Sequence, residues 1–180
     1  MSDMTTMPDK PGKPSVSIRE ITILAFIAAV MLVSQVALAP IPNVELVSLI
    51  IISCTVVYGW KMLLPLYIFV LLEGLIYGFA LWWIGYLYVW LILVGVVMLF
   101  RSFRSAHFFA MVAGVFGLLF GALFAIIDLV IGGWAFAFTK WVAGIPFDFI
   151  HCASNAVVTF ILFKPTVMLL ERLNGGGQKS

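Results

Sequence analysis

The chain has 180 residues, of which 64% are hydrophobic and only 10% are charged, and its formal net charge at pH 7 is +2. An average soluble domain has about 25% charged residues, so this composition excludes an ordinary soluble globular protein, and no nucleic-acid partner is expected. Apolar runs of about 20 residues are long enough to cross a bilayer. The sequence therefore predicts an all-α, polytopic membrane protein.

Six apolar segments, taken in chain order, are predicted to be membrane helices. They cover residues 18–39, 43–58, 62–79, 81–100, 108–131 and 146–163. Ser17 and Glu20 form a capping box at the start of the first helix, and Asn43 is predicted to cap the second. Pro146 has a favourable first-turn position in the sixth helix. The aromatic stretch "GGWAFAFTKWVAG" before it is predicted to be a connection.

The distribution of basic residues predicts the orientation, because cytoplasmic loops of membrane proteins carry an excess of Lys and Arg. With six spans, nine of the ten basic residues fall on one side and only Lys140 falls on the other. This asymmetry predicts that both termini are cytoplasmic. The six-helix membrane domain would cover residues 17–172, between a disordered tail at 1–16 and a flexible tail at 173–180.

Four carboxylates are predicted to lie near or within the outer ends of the spans: Glu45, Glu73, Asp128 and Asp148. An ionised side chain in the middle of a membrane helix costs about 2.5–3.5 kcal/mol or more unless it faces protein or water. The four acids therefore predict a hydrated or ligand-filled cavity on the outer side.

The segment "WVAGIPFDFIHCASN" places Asp148, His151 and Asn155 at positions i, i+3 and i+7 of a helix. At 3.6 residues per turn these side chains lie within an arc of about 60°. Two interpretations remain open. The stripe is a wall of the outer pocket, or Asp148 caps the helix while His151 and Asn155 bridge to neighbouring helices.

Aromatic residues are concentrated on the same outer side. The members of this aromatic group are Tyr77, Trp82, Trp83, Tyr86, Trp134 and Trp141. Such residues form belts at membrane interfaces, and they also stack on planar ligands. Either interpretation fits the sequence. Together with the four acids, the aromatic residues favour a small, ring-containing ligand that is neutral or cationic.

Small residues at four-residue spacing predict close helix packing. Ala25 and Ala29 form such a pair in the first span and Gly74 and Gly78 in the third. Gly117, Gly121 and Ala125 extend the pattern in the fifth span, where internal packing is predicted.

Signatures of catalysis and of metal or cofactor binding are missing from the sequence. There is no phosphate-binding GxxxxGK[ST] loop and no HExxH motif. Cys54 and Cys152 are far apart and form no CxxC pair. We therefore expect a protein that is not an enzyme and that needs no cofactor or metal.

Three phrases resemble those of one known family: "PNVELVSLIII", "IFVLLEGLIYGFALWWIGYLYVW" and "WVAGIPFDFIHCASNAVVTFILFKP". Together with a short six-span chain and an AxxxA pair in its first span, they are similar to the S-component of energy-coupling factor (ECF) transporters. The resemblance covers residues 18–170.

The resemblance implies a substrate-binding subunit, in a bacterial plasma membrane, that captures a vitamin or related micronutrient. Its partners would be a transmembrane coupling subunit and two ATPase subunits. The resemblance implies that Ala25 and Ala29 meet the coupling subunit. The candidate binding residues combine the pocket region that the resemblance implies with the four acids and the polar stripe described above. They are Glu45, Glu73, Trp83, Tyr86, Asp128, Lys140, Trp141, Asp148, His151 and Asn155.

Two alternative functions, each of a different class from a substrate-binding subunit, remain open. A small intramembrane enzyme would use Glu73, Asp128, Asp148 or His151 as acid and base. A structural or assembly protein would need the same polar residues only to hold its helices together.

Overall fold

The structure, a computed structural model, describes residues 17–175, so the tail predicted for residues 1–16 and the last part of the tail predicted at 173–180 lie outside the described residues. All regular structure in the described range is helical. The elements are α1 (Ile18–Leu38), α2 (Val47–Tyr58), a short 3-10 helix (Gly59–Met62), α3 (Leu63–Tyr77), α4 (Leu81–Leu99) and α5 (Ala106–Gly175).

Helix α5 is two helical arms that meet at Gly133. The φ angle of Gly133 is 73° and its ψ angle is −178°, a non-helical conformation that favours glycine. The first arm covers residues 106–132 and the second covers 134–175. The arms pack side by side, since a Cβ atom at Gly117 would lie 2.8 Å from the carbonyl carbon of His151. The internal packing predicted for Gly117 and Gly121 is therefore confirmed.

Four helical stretches are long and apolar enough to cross a membrane. They are Ile18–Leu38, Val47–Tyr77, Leu81–Leu99 and Ala106–Gly175. Large apolar side chains such as Phe26, Val33, Leu75 and Val130 are exposed on the outside of the bundle. Lipid would cover these side chains, and the predicted all-helical class is confirmed for the described part of the chain.

Helix α2 lies at the centre of the bundle. Ten of its twelve residues are buried, and it packs against α4 and α5, while α1 packs mainly against α3. A helix that has no charged residue and is largely apolar on all sides is typical of such a central position. The largest fully buried side chains around it include Met62, Phe69, Phe109 and Phe163.

The two ends of the described chain lie at the same end of the bundle. The guanidinium of Arg19 donates to the carbonyl of Leu173 at 3.1 Å. Lys61 pairs with Glu20 at 2.5 Å beside this contact. We call this end the chain-end side. Because α1 runs away from it, the loop after α1 (residues 39–46) lies at the opposite end with Gly133, which we call the turn side.

The sixth predicted span was too short. The second arm of α5 begins before Pro146 and continues through Pro165 to Gly175. The stretch predicted as a connection is therefore helical, and Asp148 lies well inside a helix instead of in its first turn. A proline removes one backbone donor, and helices in membrane proteins tolerate this loss. The predicted length matched the bilayer core of about 30 Å, whereas this arm extends beyond it.

The other local predictions had mixed outcomes. Asn43 does not cap α2, because α2 begins only at Val47 and Asn43 adopts a left-handed φ of 58°. Gly78 takes no part in close helix packing, since it ends α3 with a φ of 88° and a Cβ atom there would meet nothing within 4 Å. Close packing is confirmed at Gly74, because a Cβ atom there would lie 2.8 Å from Nε1 of Trp83 in α4. The cap at Ser17 is confirmed, because its hydroxyl accepts the Glu20 amide at 3.1 Å.

Candidate binding site

A cavity of about 270 Å³ opens on the turn side of the bundle. The end of α1, the loop at 39–46, α4 and both arms of α5 form its walls, and we call it the loop cavity. Its lining residues are Gln35, Leu38, Ala39, Ile41, Pro42, Asn43, Val44, Glu45, Tyr86, Trp90, Phe120 and His151.

The loop at 39–46 forms half of this lining, and its conformation follows from its sequence. Pro40 and Pro42 cannot donate backbone hydrogen bonds, so α1 ends before them. The left-handed turn at Asn43 then reverses the chain. The hydroxyl of Ser154 donates to the carbonyl of Asn43 at 2.7 Å, which fixes the loop against the second arm of α5.

A buried polar network joins the start of α2 to the second arm of α5. One oxygen of Glu45 accepts the backbone N–H of Ser48 at 2.8 Å, and the other lies 3.4 Å from Nε2 of His151. One turn further along both helices, the amide of Asn155 donates to the hydroxyl of Ser48 at 3.2 Å. Glu45 therefore caps α2, a role predicted for Asn43, and also faces the cavity.

The environment of Glu45 favours its ionised form. Burial alone would raise the pKa of this carboxyl above its ordinary value of 4.5. The hydrogen bond and charge of His151 and the hydrogen bonds of Ser48 act in the opposite direction, and the pKa is lowered overall. A buried carboxylate is therefore available at the wall of the loop cavity at neutral pH.

Aromatic rings form another part of the lining. Tyr86 and Trp90 make an edge contact with centroids 5.5 Å apart, and Trp90 lies 5.6 Å from Phe120. Phe120 in turn packs edge-on against the His151 ring at 4.8 Å. The cavity thus combines one carboxylate, one imidazole and a continuous aromatic surface.

Three predicted binding residues, Asp128, Lys140 and Trp141, line a different cavity on the turn side. This cavity has a volume of about 290 Å³ and also includes Trp82 and Phe136. Lys140 pairs with Asp128 at 2.6 Å and lies 5.2 Å from the Phe136 ring centroid. We call it the ion-pair cavity. Its acid and base neutralise each other, so it adds no net charge to the turn side.

The other predicted binding residues make contacts within the bundle. Asp148 accepts the backbone N–H of Gly121 at 3.0 Å and so joins the two arms of α5. Trp83 donates from its indole to the carbonyl of Val70 at 2.8 Å, and Glu73 is buried in α3. Of the polar stripe, His151 lines the loop cavity, whereas Asp148 and Asn155 bridge between helices.

Sequence reasoning left out Gln35, Trp90 and Phe120 as candidate binding residues. Trp90 lies one helical turn after Tyr86, so helical spacing alone would place the two rings on one face of α4. Phe120 precedes Gly121, the glycine at which the two arms approach closely. A spacing argument would have found the first of these residues, but the others depend on how the helices meet.

Ala25 and Ala29 are both exposed on the outer surface of α1. The neighbouring side chains of Leu24 and Ala28 point into the bundle and are buried. The small-residue pair therefore lies on the face of α1 that the rest of the described chain leaves uncovered.

Residues 17–175 contain no group of three or more His, Cys, Asp or Glu side chains placed to hold a metal ion. The arrangement can bind a small molecule through charge, hydrogen bonds and ring contacts. Comparisons of the chain with models of protein families, with curated proteins and with solved structures gave no match.

Proposed function

We propose that the chain is the substrate-binding subunit of an ATP-driven ECF-type importer for a vitamin or related micronutrient. The observation that carries the proposal is the loop cavity, whose lining combines a buried carboxylate with three aromatic side chains. Ligand pockets are typically concave and largely apolar with a few placed polar groups, over a range of about 300–1,000 Å³. The loop cavity, at about 270 Å³, suits a small ligand.

The proposed membrane arrangement has six spans and cytoplasmic termini. Counting α2 and α3 separately, and the two arms of α5 separately, gives six helices. The contacts of Arg19 and Lys61 place both basic residues at the chain-end side, which fits the cytoplasmic face of a bacterial plasma membrane. The loop cavity would then open to the outside, where an importer meets its substrate.

The proposed partners are a transmembrane coupling subunit and two ATPase subunits. The chain itself would bind its substrate and carry out no reaction, and the ATPase subunits would supply the energy. The exposed pair Ala25 and Ala29 supports a partner helix on α1, since small residues let two helix backbones approach closely.

A ligand screen followed by a transport assay tests this function. The purified full chain would be heated in the presence of individual vitamins, nucleobases and amino acids, and a small micronutrient should raise its melting temperature. Trp90→Leu should reduce this shift while the variant remains folded. Uptake of the same compound into membrane vesicles should require ATP. If no compound stabilises the chain, or uptake is independent of ATP, the proposed function is wrong.

A further inference from the structure

We propose that the loop cavity selects a small organic monocation, with Glu45 as its counter-ion and Tyr86, Trp90 and Phe120 as the surface on which it lies. This inference rests on the proposed function and specifies its substrate class. The argument uses the charge of the lining, the geometry of Glu45, the aromatic wall and the volume.

The lining of the loop cavity contains no permanently cationic side chain. Their ionisable side chains are Glu45, Tyr86 and His151, and none of the twelve lining residues is Lys or Arg. Lys140 belongs to the ion-pair cavity and is already bound to Asp128 at 2.6 Å. His151 can supply at most one positive charge against the carboxylate of Glu45, so the lining is never net positive, which favours a monocation over a polyanion.

The two oxygens of Glu45 are held very differently. One accepts the N–H of Ser48 at 2.8 Å, a distance typical of a strong bond. The other lies 3.4 Å from His151, which is longer than the roughly 2.7–2.9 Å of a charge-assisted hydrogen bond. This second oxygen is thus only weakly engaged, and a cation in the cavity can form a closer contact with it.

Burial strengthens the attraction between Glu45 and a bound cation. Only 8% of Glu45 and 2% of Trp90 is exposed. Removing two charges from water is unfavourable unless each finds a partner, and Coulomb attraction is stronger where the effective dielectric is low. The carboxylate of Glu45 has His151 as its one basic side-chain neighbour, at 3.4 Å, so a cation that arrives as a ligand can make a closer contact.

The aromatic wall provides the second half of the recognition. A cation is attracted to the face of an aromatic ring when it lies within about 6 Å of the ring centroid. The centroids of Tyr86, Trp90 and Phe120 follow one another at 5.5 and 5.6 Å. All three rings line the same cavity as Glu45, so a small cation bound there lies near both the rings and the carboxylate.

Matched pairs of cations and neutral isosteres test the inference with the full chain in detergent. Choline is compared with 3,3-dimethyl-1-butanol, and 1-methylnicotinamide with nicotinamide, by isothermal titration calorimetry. At least one cation should bind about tenfold or more tightly than its neutral partner. Glu45→Gln should abolish this preference, because Gln keeps an acceptor for Ser48 but has no charge. Glu171→Gln, on the chain-end side, is the matched control and should leave the preference unchanged.

Three results would overturn the inference: equal binding within both pairs, a preference that survives Glu45→Gln, or no binding of either cation. Trp90→Leu provides an independent check, since it should weaken cation binding without changing the Glu45 carboxylate. The proposed function can fail separately. Cation binding by a chain that never associates with an ATPase pair would support the inference alone. A neutral substrate imported with ATP would support the function alone.

Discussion

Glu45 connects the fold to the candidate site at the scale of single residues. Its carboxylate caps α2 through Ser48 and approaches His151 on the second arm of α5. Hydrogen bonds to charged groups contribute about 1.5–3 kcal/mol each. The same side chain therefore stabilises the helix packing and gives the loop cavity its charge.

The lowered pKa of Glu45 predicts how its contribution to stability depends on pH. A carboxyl group whose pKa is lower in the folded state stabilises the protein above its ordinary pKa of 4.5. This stabilisation is lost as the pH falls through the folded-state value. Glu45→Gln should lower stability by about 1 kcal/mol at pH 7, and the difference from the unmodified chain should shrink below pH 4.5. Thermal unfolding of both proteins between pH 7 and about pH 3 measures this, and a difference that stays constant over the whole range would contradict it.

Asn155 offers a contrasting prediction, because its amide contacts Ser48 and does not line the loop cavity. Asn155→Ala leaves a buried hydroxyl without its donor, which costs about 1–3 kcal/mol. We expect a lower melting temperature with ligand affinity changed less than threefold. A large loss of affinity at unchanged stability would instead place Asn155 in direct contact with the ligand.

At the scale of helices, the close approach of the two α5 arms at Gly117 predicts that no larger side chain fits at this position. A Cβ atom there would lie 2.8 Å from the carbonyl of His151, whereas a Cβ atom at Gly95 in α4 would meet nothing within 4 Å. Gly117→Ala should therefore destabilise the chain by about 1–3 kcal/mol. Gly95→Ala is the matched control and should be neutral or slightly stabilising. Equal effects of the two changes on thermal unfolding would argue against the side-by-side arms.

The sequence predicted most helices because apolar runs and turn residues mark them directly. The ends of α1, α3 and α4 lie within two residues of the predicted spans. The second arm of α5 was mispredicted, because Pro146 and Pro165 resemble boundaries, although membrane helices tolerate them. The close helix packing at Gly117 was predictable from the four-residue spacing of small residues in that span. The turn at Gly78 depends on a φ angle that such spacing does not reveal.

The candidate site was harder to predict, since its residues come together through packing between distant segments. Glu45, Tyr86 and His151 were predicted and share the loop cavity. Asp128, Lys140 and Trp141 were grouped with them by their common depth, but they line another cavity. Depth along a span follows from the sequence. The side of the bundle on which a residue lies depends on how each helix is rotated.

At the scale of the whole molecule, the exposed face of α1 predicts separable effects on binding and transport. Ala25→Leu and Ala29→Leu add bulk at positions that are exposed in the described chain, so folding and ligand affinity should be unchanged. ATP-driven uptake should fall about tenfold or more if a partner helix packs there. Ala135→Leu, at an exposed position on the turn side, is the matched control. Loss of ligand affinity together with uptake would show that the face serves another purpose.

The central claim is that this chain works as one subunit of an ATP-driven importer, and co-purification tests it most directly. A tagged full-length chain would be purified in mild detergent from the membranes of its own host, and the mass of the intact complex would be measured. We expect one copy of the chain with a transmembrane coupling subunit and two ATPase subunits, and the Ala29→Leu variant should lose these partners. A chain that is isolated repeatedly without any ATPase, and whose substrate enters cells lacking such ATPases, would contradict the account.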